Sequence, residues 1–308
     1  MTEAARTERT VIITGANTGL GFECARALID SHPTWHVLLA VRDAERGAEA
    51  AGRLGHPDRT TIGELDLASL RSVREFTEKL PLLGLPPLHA VVCNAGLQMV
   101  SGSPRTADGF EITFGVNHLG HFALVQGLLG KLSTPARIVV VSSGTHDPDK
   151  FTGMPAPRYT TAADLLDPPP GGLTGAEGRR RYTTSKLCNM LFSYELDRRL
   201  GHGSRGITVT AFDPGLMPES GLSRGYSRAQ RVVWRLITPA LRMLPGVNTT
   251  RRSGRHLAAL VADPALDGVT AAYFAGARRI ASSRDSYDEA KALDLWQVSE
   301  RVTAAPLP

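Results

Sequence analysis

The chain has 308 residues, 42% of them hydrophobic, with 35 basic against 30 acidic side chains and a formal charge of +5. That apolar share can fill a buried sheet, yet no run approaches the ~18 apolar residues of a membrane span. Cys24, Cys93 and Cys188 are widely separated and form no CxxC pair, which argues against a disulfide framework or a zinc site. The arginines are spread along the chain without aromatic interleaving, so nucleic-acid binding is not expected. Residues 1–8 carry acidic side chains and no apolar h-region, unlike a signal peptide, and the expected location is cytoplasmic.

Taken in chain order, apolar runs predict strands at 11–13, 37–40, 61–65, 90–93, 138–141, 208–211 and 272–274. Between them, apolar residues at helical spacing predict helices at 21–30, 43–54, 70–80, 109–131, 182–200 and 251–262. Such alternation implies a Rossmann-type α/β fold. Its doubly wound parallel sheet carries helices on both faces, and residues 1–308 are read as a single domain. Ligands bind these sheets outside the carboxyl ends of the strands. Gly15, Asn94, Ser143 and Pro214 all fall just after predicted strands, so they can converge on one crevice.

Three motifs carry chemistry. The segment TGANTGLG at 14–21 places glycines between a strand and a helix. Glycine lets backbone approach a pyrophosphate, and the amides and dipole at the helix start stabilise its charge. The run RIVVVSS at 137–143 is a buried strand ending in two hydroxyls, Ser142 and Ser143. Tyr182 and Lys186 stand four residues apart on a predicted helix, on one face, where an ammonium favours the phenolate and suits the tyrosine to general acid/base work. His118, His121 and His146 match no metal-ligand spacing, so no metal site is expected.

Cradle, strand-end serine and YxxxK in that order resemble the short-chain dehydrogenase/reductase family. The resemblance runs from about residue 9 to about residue 301. It includes Glu64-Leu-Asp66-Leu67, Cys93-Asn94-Ala95-Gly96, Val116-Asn117-His118-Leu-Gly-His and Asp213-Pro214-Gly215. Within the family, the segments at 106–111, 114–122, 185–191 and 295–301 resemble the retinol dehydrogenase and protochlorophyllide reductase branch. This implies a bulky apolar substrate by analogy.

The resemblance implies that Tyr182 exchanges a proton with the substrate oxygen while hydride passes to or from the nicotinamide. Ser143 would stabilise that oxygen, with Ser142 as the alternative hydroxyl. Lys186 would lower the tyrosine pKa and bind the nicotinamide ribose, and Asn117 would complete a water-linked proton path or hold a helix kink. Cofactor contacts are expected from Gly15, Asn17, Thr18, Gly19, Leu20, Gly21, Arg42, Asp66, Leu67, Asn94, Ala95, Gly96, Tyr182, Lys186, Pro214 and Gly215. NADP is favoured over NAD because Arg42 stands where related enzymes hold the 2′-phosphate, while Asp43 is read as the N-cap of the next helix.

Two features depart from a minimal enzyme of this kind. Residues 146–181 are rich in proline and glycine and predict an excursion over the surface that walls the substrate site. Leu216 replaces the cysteine that protochlorophyllide reductases carry after Pro-Gly, so that double-bond reduction is the minor alternative. Residues 216–246 correspond to the substrate-covering segment. Val232, Val233, Leu236, Ile237, Leu241 and Leu244 recur there near helical spacing, among Arg231, Arg235 and Arg242. This segment is read as an apolar lid, a peripheral membrane contact, or a helix packed on its own domain or on a homodimer partner. The different-class alternative is a non-catalytic dinucleotide sensor or scaffold.

Overall fold

The computed structural model describes residues 8–217 and 248–304. Seven strands are parallel: β1 (Arg9–Thr14), β2 (Trp35–Val41), β3 (Thr60–Glu64), β4 (Leu88–Cys93), β5 (Leu132–Val141), β6 (Ile207–Asp213) and β7 (Ala272–Ala275). An eighth, β8 (Arg278–Ile280), pairs antiparallel with β7. The sheet order is β3-β2-β1-β4-β5-β6-β7-β8. Chain order reverses between β1 and β4, and that switch point opens a crevice beyond the strand ends.

The principal helices are α1 (Gly19–Ser31), α2 (Ala44–Leu54), α3 (Leu70–Lys79), α4 (Gly120–Leu128), α5 (Gly175–Arg199), α6 (Thr250–Ala262) and α7 (Glu289–Ala304). Strand side chains alternate between two faces, and each face is apolar. Val11, Ile13, Leu39 and Val139 pack with Leu28 of α1 and Leu257 of α6 on one side. Ile12, Leu38, Val91 and Ile138 pack with Phe76 of α3, Val125 of α4 and Phe192 of α5 on the other. This double burial is why the strands read as continuous apolar runs. The three cysteines are buried and free, and burial pushes the Cys93 thiol up to about 12.

Three expectations are corrected. The helix expected over 109–131 is interrupted: a turn at Ile112–Phe114 runs into a π-helical turn, Gly115–Leu119, before α4 starts. Gly120 N–H reaches back five residues to the Gly115 carbonyl, a widening that hydrophobic spacing does not register. The tyrosine helix begins at Gly175, seven residues ahead of Tyr182, because Thr174 caps it by accepting from Glu177 N–H at 3.3 Å. Gly178 within it has a packing reason, since a Cβ there would lie 2.7 Å from Val100 Cα. Finally, β8 and α7 add elements beyond those expected.

The proline-rich excursion is tied back at several points. Tyr159 Oη donates to Asp294 of α7 at 2.7 Å, Arg158 N–H donates to Thr184 Oγ1 at 3.0 Å, and Glu111 N–H donates to the Leu166 carbonyl at 2.7 Å. The substrate-covering segment expected at 216–246 lies outside the described residues except for Leu216 and Met217, and so do Val232, Val233, Leu236, Ile237, Leu241 and Leu244. Among the described residues no helix is long and apolar enough to cross a membrane.

Candidate active site

The crevice is built from four loops that leave β1, β4, β5 and β6. After β1, Gly15 and Gly19 have φ of 66° and 61°, values costly for any residue with a Cβ. Leu20 and Gly21 are buried, Asn17 is half-buried and Thr18 is exposed. A Cβ on Gly21 would lie 2.6 Å from Asn94 Nδ2, so only glycine lets the two loops close together. Thr18, the N-cap of α1, makes no side-chain cap and the first turn holds no acid. The amides there remain available to an anion, and these features fit a pyrophosphate.

The loop after β4 is held by Thr14. Its Oγ1 accepts from the backbone N–H groups of Asn94 and Ala95, each at 2.9 Å, and Asn94 Nδ2 donates to the Thr14 carbonyl at 2.7 Å. Two residues on, Leu97 N–H donates to Asn117 Oδ1 at 2.8 Å, and Asn117 Nδ2 donates back to the Leu97 carbonyl at 2.9 Å. Asn117 Nδ2 also donates to Ser185 Oγ at 3.0 Å. Gly96 sits where these meet: a Cβ built on it would be 3.4 Å from Asn117 Oδ1 and 3.6 Å from Lys186 Nζ.

The two serines after β5 have different surroundings. Ser142 is buried and its hydroxyl donates to the Lys186 carbonyl at 2.9 Å, binding strand to helix. Ser143 Oγ only accepts, from Thr145 N–H at 3.3 Å, and so keeps its proton for another partner. The backbone of Ser143 is fixed by His146, whose Nδ1 donates to the Ser143 carbonyl at 2.6 Å while its Nε2 accepts from Ser283 N–H at 3.1 Å.

Tyr182 and Lys186 are both buried in α5, at 8% and 4% exposure. Lys186 Nζ donates to the Val141 carbonyl at 3.1 Å and lies 5.6 Å from the centre of the Tyr182 ring. Burial lowers the Lys186 ammonium to about 8, with Asp213 pulling the other way. The Tyr182 phenol is raised rather than lowered, by burial first and the Asp213 carboxylate second. Lys186 was expected to lower this phenol, whereas in the folded chain burial and Asp213 raise it. Desolvation weakens the cation and disfavours the phenolate together.

After β6, Pro214 is buried and its carbonyl accepts from Asn248 Nδ2 at 2.9 Å and Ser253 Oγ at 2.7 Å, while Gly215 turns at φ 77°. Asp213 accepts from Gly215 N–H at 2.9 Å and from Tyr273 Oη at 3.3 Å. At the far end of the crevice Arg42 is exposed, and Asp43 caps α2 by accepting from Arg46 N–H at 3.1 Å. The cap use of Asp43 agrees with the sequence reading. Asp66 is half-buried, accepting from Ala68 N–H at 3.0 Å, and Leu67 is buried against Gly120.

The sequence named Asp213, His118 and His121 only as parts of motifs, and the histidines otherwise only as rejected metal ligands. Among the described residues no group of His, Cys, Asp and Glu could hold a metal. A usable signal was present, however. His121 follows Asn117 by four residues, and that spacing places an imidazole beside the Asn117 carbonyl.

A family model for short chain dehydrogenase matches residues 9–156. The WW domain-containing oxidoreductase of Danio rerio is 39% identical over 303 residues, covering 96% of this chain and 68% of that protein. Protochlorophyllide reductase B of Hordeum vulgare, a chloroplast protein, is 36% identical over 315 residues, covering 94% of this chain and 78% of that one. A blue fluorescent protein from a metagenomic library, solved in complex with NADPH, superimposes with a TM-score of 0.61 at 21% identity, covering 89% of this chain and 99% of its own, and shares the fold. Glycine cradle, serine-ended strand and buried Tyr-Lys helix turn thus occur together in a chain that belongs to the short-chain dehydrogenase family of oxidoreductases.

Proposed function

We propose that this protein is an NADP-dependent oxidoreductase that interconverts a carbonyl and an alcohol on a bulky apolar substrate. The observation that carries the reading is the meeting of the loop after β4, the π turn and α5 at Gly96, where Asn117 and Lys186 both lie within 4 Å of a built Cβ. Tyr182 passes a proton to the substrate oxygen on reduction and takes it back on oxidation. Ser143 donates to the same oxygen, because its hydroxyl proton is uncommitted within the protein. Lys186 holds positive charge beside the phenol. The Asn117 side chain is spent on Leu97 and Ser185, so its backbone carbonyl is the group it offers to a water-linked proton path.

A nicotinamide dinucleotide bound in the crevice supplies the hydride. Gly15, Asn17, Thr18, Gly19, Leu20 and Gly21 would receive its pyrophosphate, and Asp66 and Leu67 its adenine. Asn94, Ala95, Gly96, Pro214 and Gly215 would line the nicotinamide end together with Tyr182 and Lys186. Arg42 favours a 2′-phosphate, since the neighbouring Asp43 carboxylate is engaged as a helix cap. The apolar substrate class is supported by half-buried Leu97, Met99 and Val100 after Gly96, and by kinship with a relative named for reducing protochlorophyllide. Residues 1–308 act as one catalytic unit in this reading, with 216–246 covering the substrate.

The same kinship favours double-bond reduction as a second reading. Leu216, where the sequence reading expects a cysteine in protochlorophyllide reductases, ranks it below carbonyl reduction. The test is NADPH oxidation by the purified protein against apolar aldehydes and ketones, with Tyr182→Phe in parallel. The reading expects turnover that falls by about 10²–10⁴-fold in the variant while NADPH binding is kept. NADPH binding by both proteins with turnover by neither would instead favour a dinucleotide sensor or scaffold.

A further inference from the structure

His121 stands between the cofactor loops and the asparagine of the proton path. It is 2% exposed, and its two ring nitrogens have different partners. Nδ1 lies 3.2 Å from the Asn117 carbonyl and Nε2 lies 2.9 Å from Thr14 Oγ1. The direction of each bond follows from the partners. A carbonyl can only accept, so Nδ1 must carry the ring proton. Thr14 Oγ1 already accepts from Asn94 N–H and Ala95 N–H, so its lone pairs are occupied and its own proton must be given away. Two acceptors are in reach, the Val92 carbonyl at 3.3 Å and His121 Nε2 at 2.9 Å. The nearer is the bare nitrogen that the Nδ1–H tautomer leaves, so both ends require the same neutral ring.

We infer that His121 is a positioning residue with two separable arms: Nε2 orients the Thr14 hydroxyl that holds the Asn94-Ala95 loop, and Nδ1–H holds the Asn117 carbonyl. The first arm acts on the cofactor and the second on proton transfer. Its setting keeps the ring neutral, since burial lowers it to about 4 and the nearby Lys186 disfavours a second positive charge. The inference rests on the oxidoreductase reading for its second arm only.

Two conservative variants separate the arms. In His121→Gln the amide oxygen can reach the place of Nε2 and accept from Thr14, but nothing is left to donate to Asn117. The expected result is NADPH affinity within about threefold of wild type and kcat lowered about tenfold or more, the scale of one unsatisfied buried partner. In His121→Asn the amide nitrogen stands in for Nδ1 and stops short of Thr14, whose hydroxyl must turn to Val92. NADPH affinity, followed by fluorescence quenching, is then expected to weaken about tenfold while kcat is largely kept.

Parallel losses of affinity and kcat in both variants, tracking the melting temperature, would overturn the inference, and so would unchanged behaviour in both. A third measurement uses the unaltered protein: 15N-detected histidine spectra should show one ring as the neutral Nδ1–H tautomer down to about pH 5, assigned by its loss in the variants. A proton on Nε2 would overturn the inference even if a variant failed to fold. If the wild-type protein turns over no carbonyl, the reductase reading fails alone, because tautomer and NADPH affinity still decide the role of His121.

Discussion

The Lys186 ammonium lies 5.6 Å from the centre of the Tyr182 ring but gives its hydrogen bond to the Val141 carbonyl at 3.1 Å. The lysine is therefore held in place by the strand that also presents Ser143. Because burial brings Lys186 down to about 8, its charge is lost within the working pH range. Reduction needs a charged lysine beside a protonated phenol, so kcat/KM for reduction should fall as pH rises through about 8. Asp213 raises both groups, so Asp213→Asn should lower both and move this limb to lower pH. A pH profile of the two proteins decides it, and a limb that stays put or moves to higher pH removes Asp213 from the electrostatics of the site.

The cradle depends on a close helix pair. Gly254 of α6 packs on α1 so tightly that a Cβ would lie 2.7 Å from the Glu23 backbone carbon. No rotamer change can relieve a clash with backbone, so Gly254→Ala must push α1 and α6 apart. Overpacking of this kind costs about 1–3 kcal/mol. The amides of the first turn of α1 move with it, so NADPH affinity should weaken alongside the melting temperature. Thermal unfolding with and without NADPH checks this, and an unchanged affinity would mean that α1 adjusts without moving its N-terminus.

Much of this architecture was legible in the sequence because both faces of the sheet are buried. Strands such as β1 and β2 carry unbroken apolar runs, 11–13 and 37–41, so they stand out without any periodicity. Their carboxyl ends put Gly15, Asn94, Ser143 and Pro214 at the crevice. The π turn at Gly115–Leu119 was hidden because a single extra residue per turn leaves the apolar pattern nearly unchanged. Helix α7 was hidden for another reason. Its buried residues, Ala292, Leu295, Trp296, Val298 and Ser299, include one polar side chain that is committed to His118. The raised phenol of Tyr182 could not be read at all, since it depends first on the burial of the ring by the folded chain and then on Asp213 approaching from β6.

His118 and His121 should make the fold sensitive to acid. Burial lowers them to about 3 and about 4, so both are neutral in the folded protein at values where an unfolded histidine, near 6.5, is already charged. Between those limits the unfolded chain binds more protons, and stability must fall as pH falls. The loss should begin near pH 6.5 and continue to about pH 3, the His121 share ending near pH 4 and the His118 share near pH 3, where each protonates in the folded state as well. Melting temperatures across this range check the sign. Replacing His121 with Gln, which cannot titrate, should flatten the slope, and an equal slope in the variant would place the acid sensitivity elsewhere.

The C-terminal helix bears on assembly. In this chain α7 lies over apolar side chains of α4 and α5. Trp296 is 5% exposed, edge-on to Phe122 at 4.9 Å and stacked with Phe192 at 6.2 Å, with Arg199 4.2 Å above its ring. His118 Nε2 donates to Ser299 Oγ at 2.8 Å, because that hydroxyl has already given its proton to the Leu295 carbonyl at 2.7 Å. This apolar surface is thus occupied from within, and light scattering on the purified protein should give the mass of one chain. Trp296→Ala should cost about 3–5 kcal/mol and loosen α7. The apolar face beneath would then be exposed, and the variant should self-associate as its concentration rises. A wild-type dimer whose association is weakened by charged substitutions on α4 or α5 would show that α7 does not seal the face.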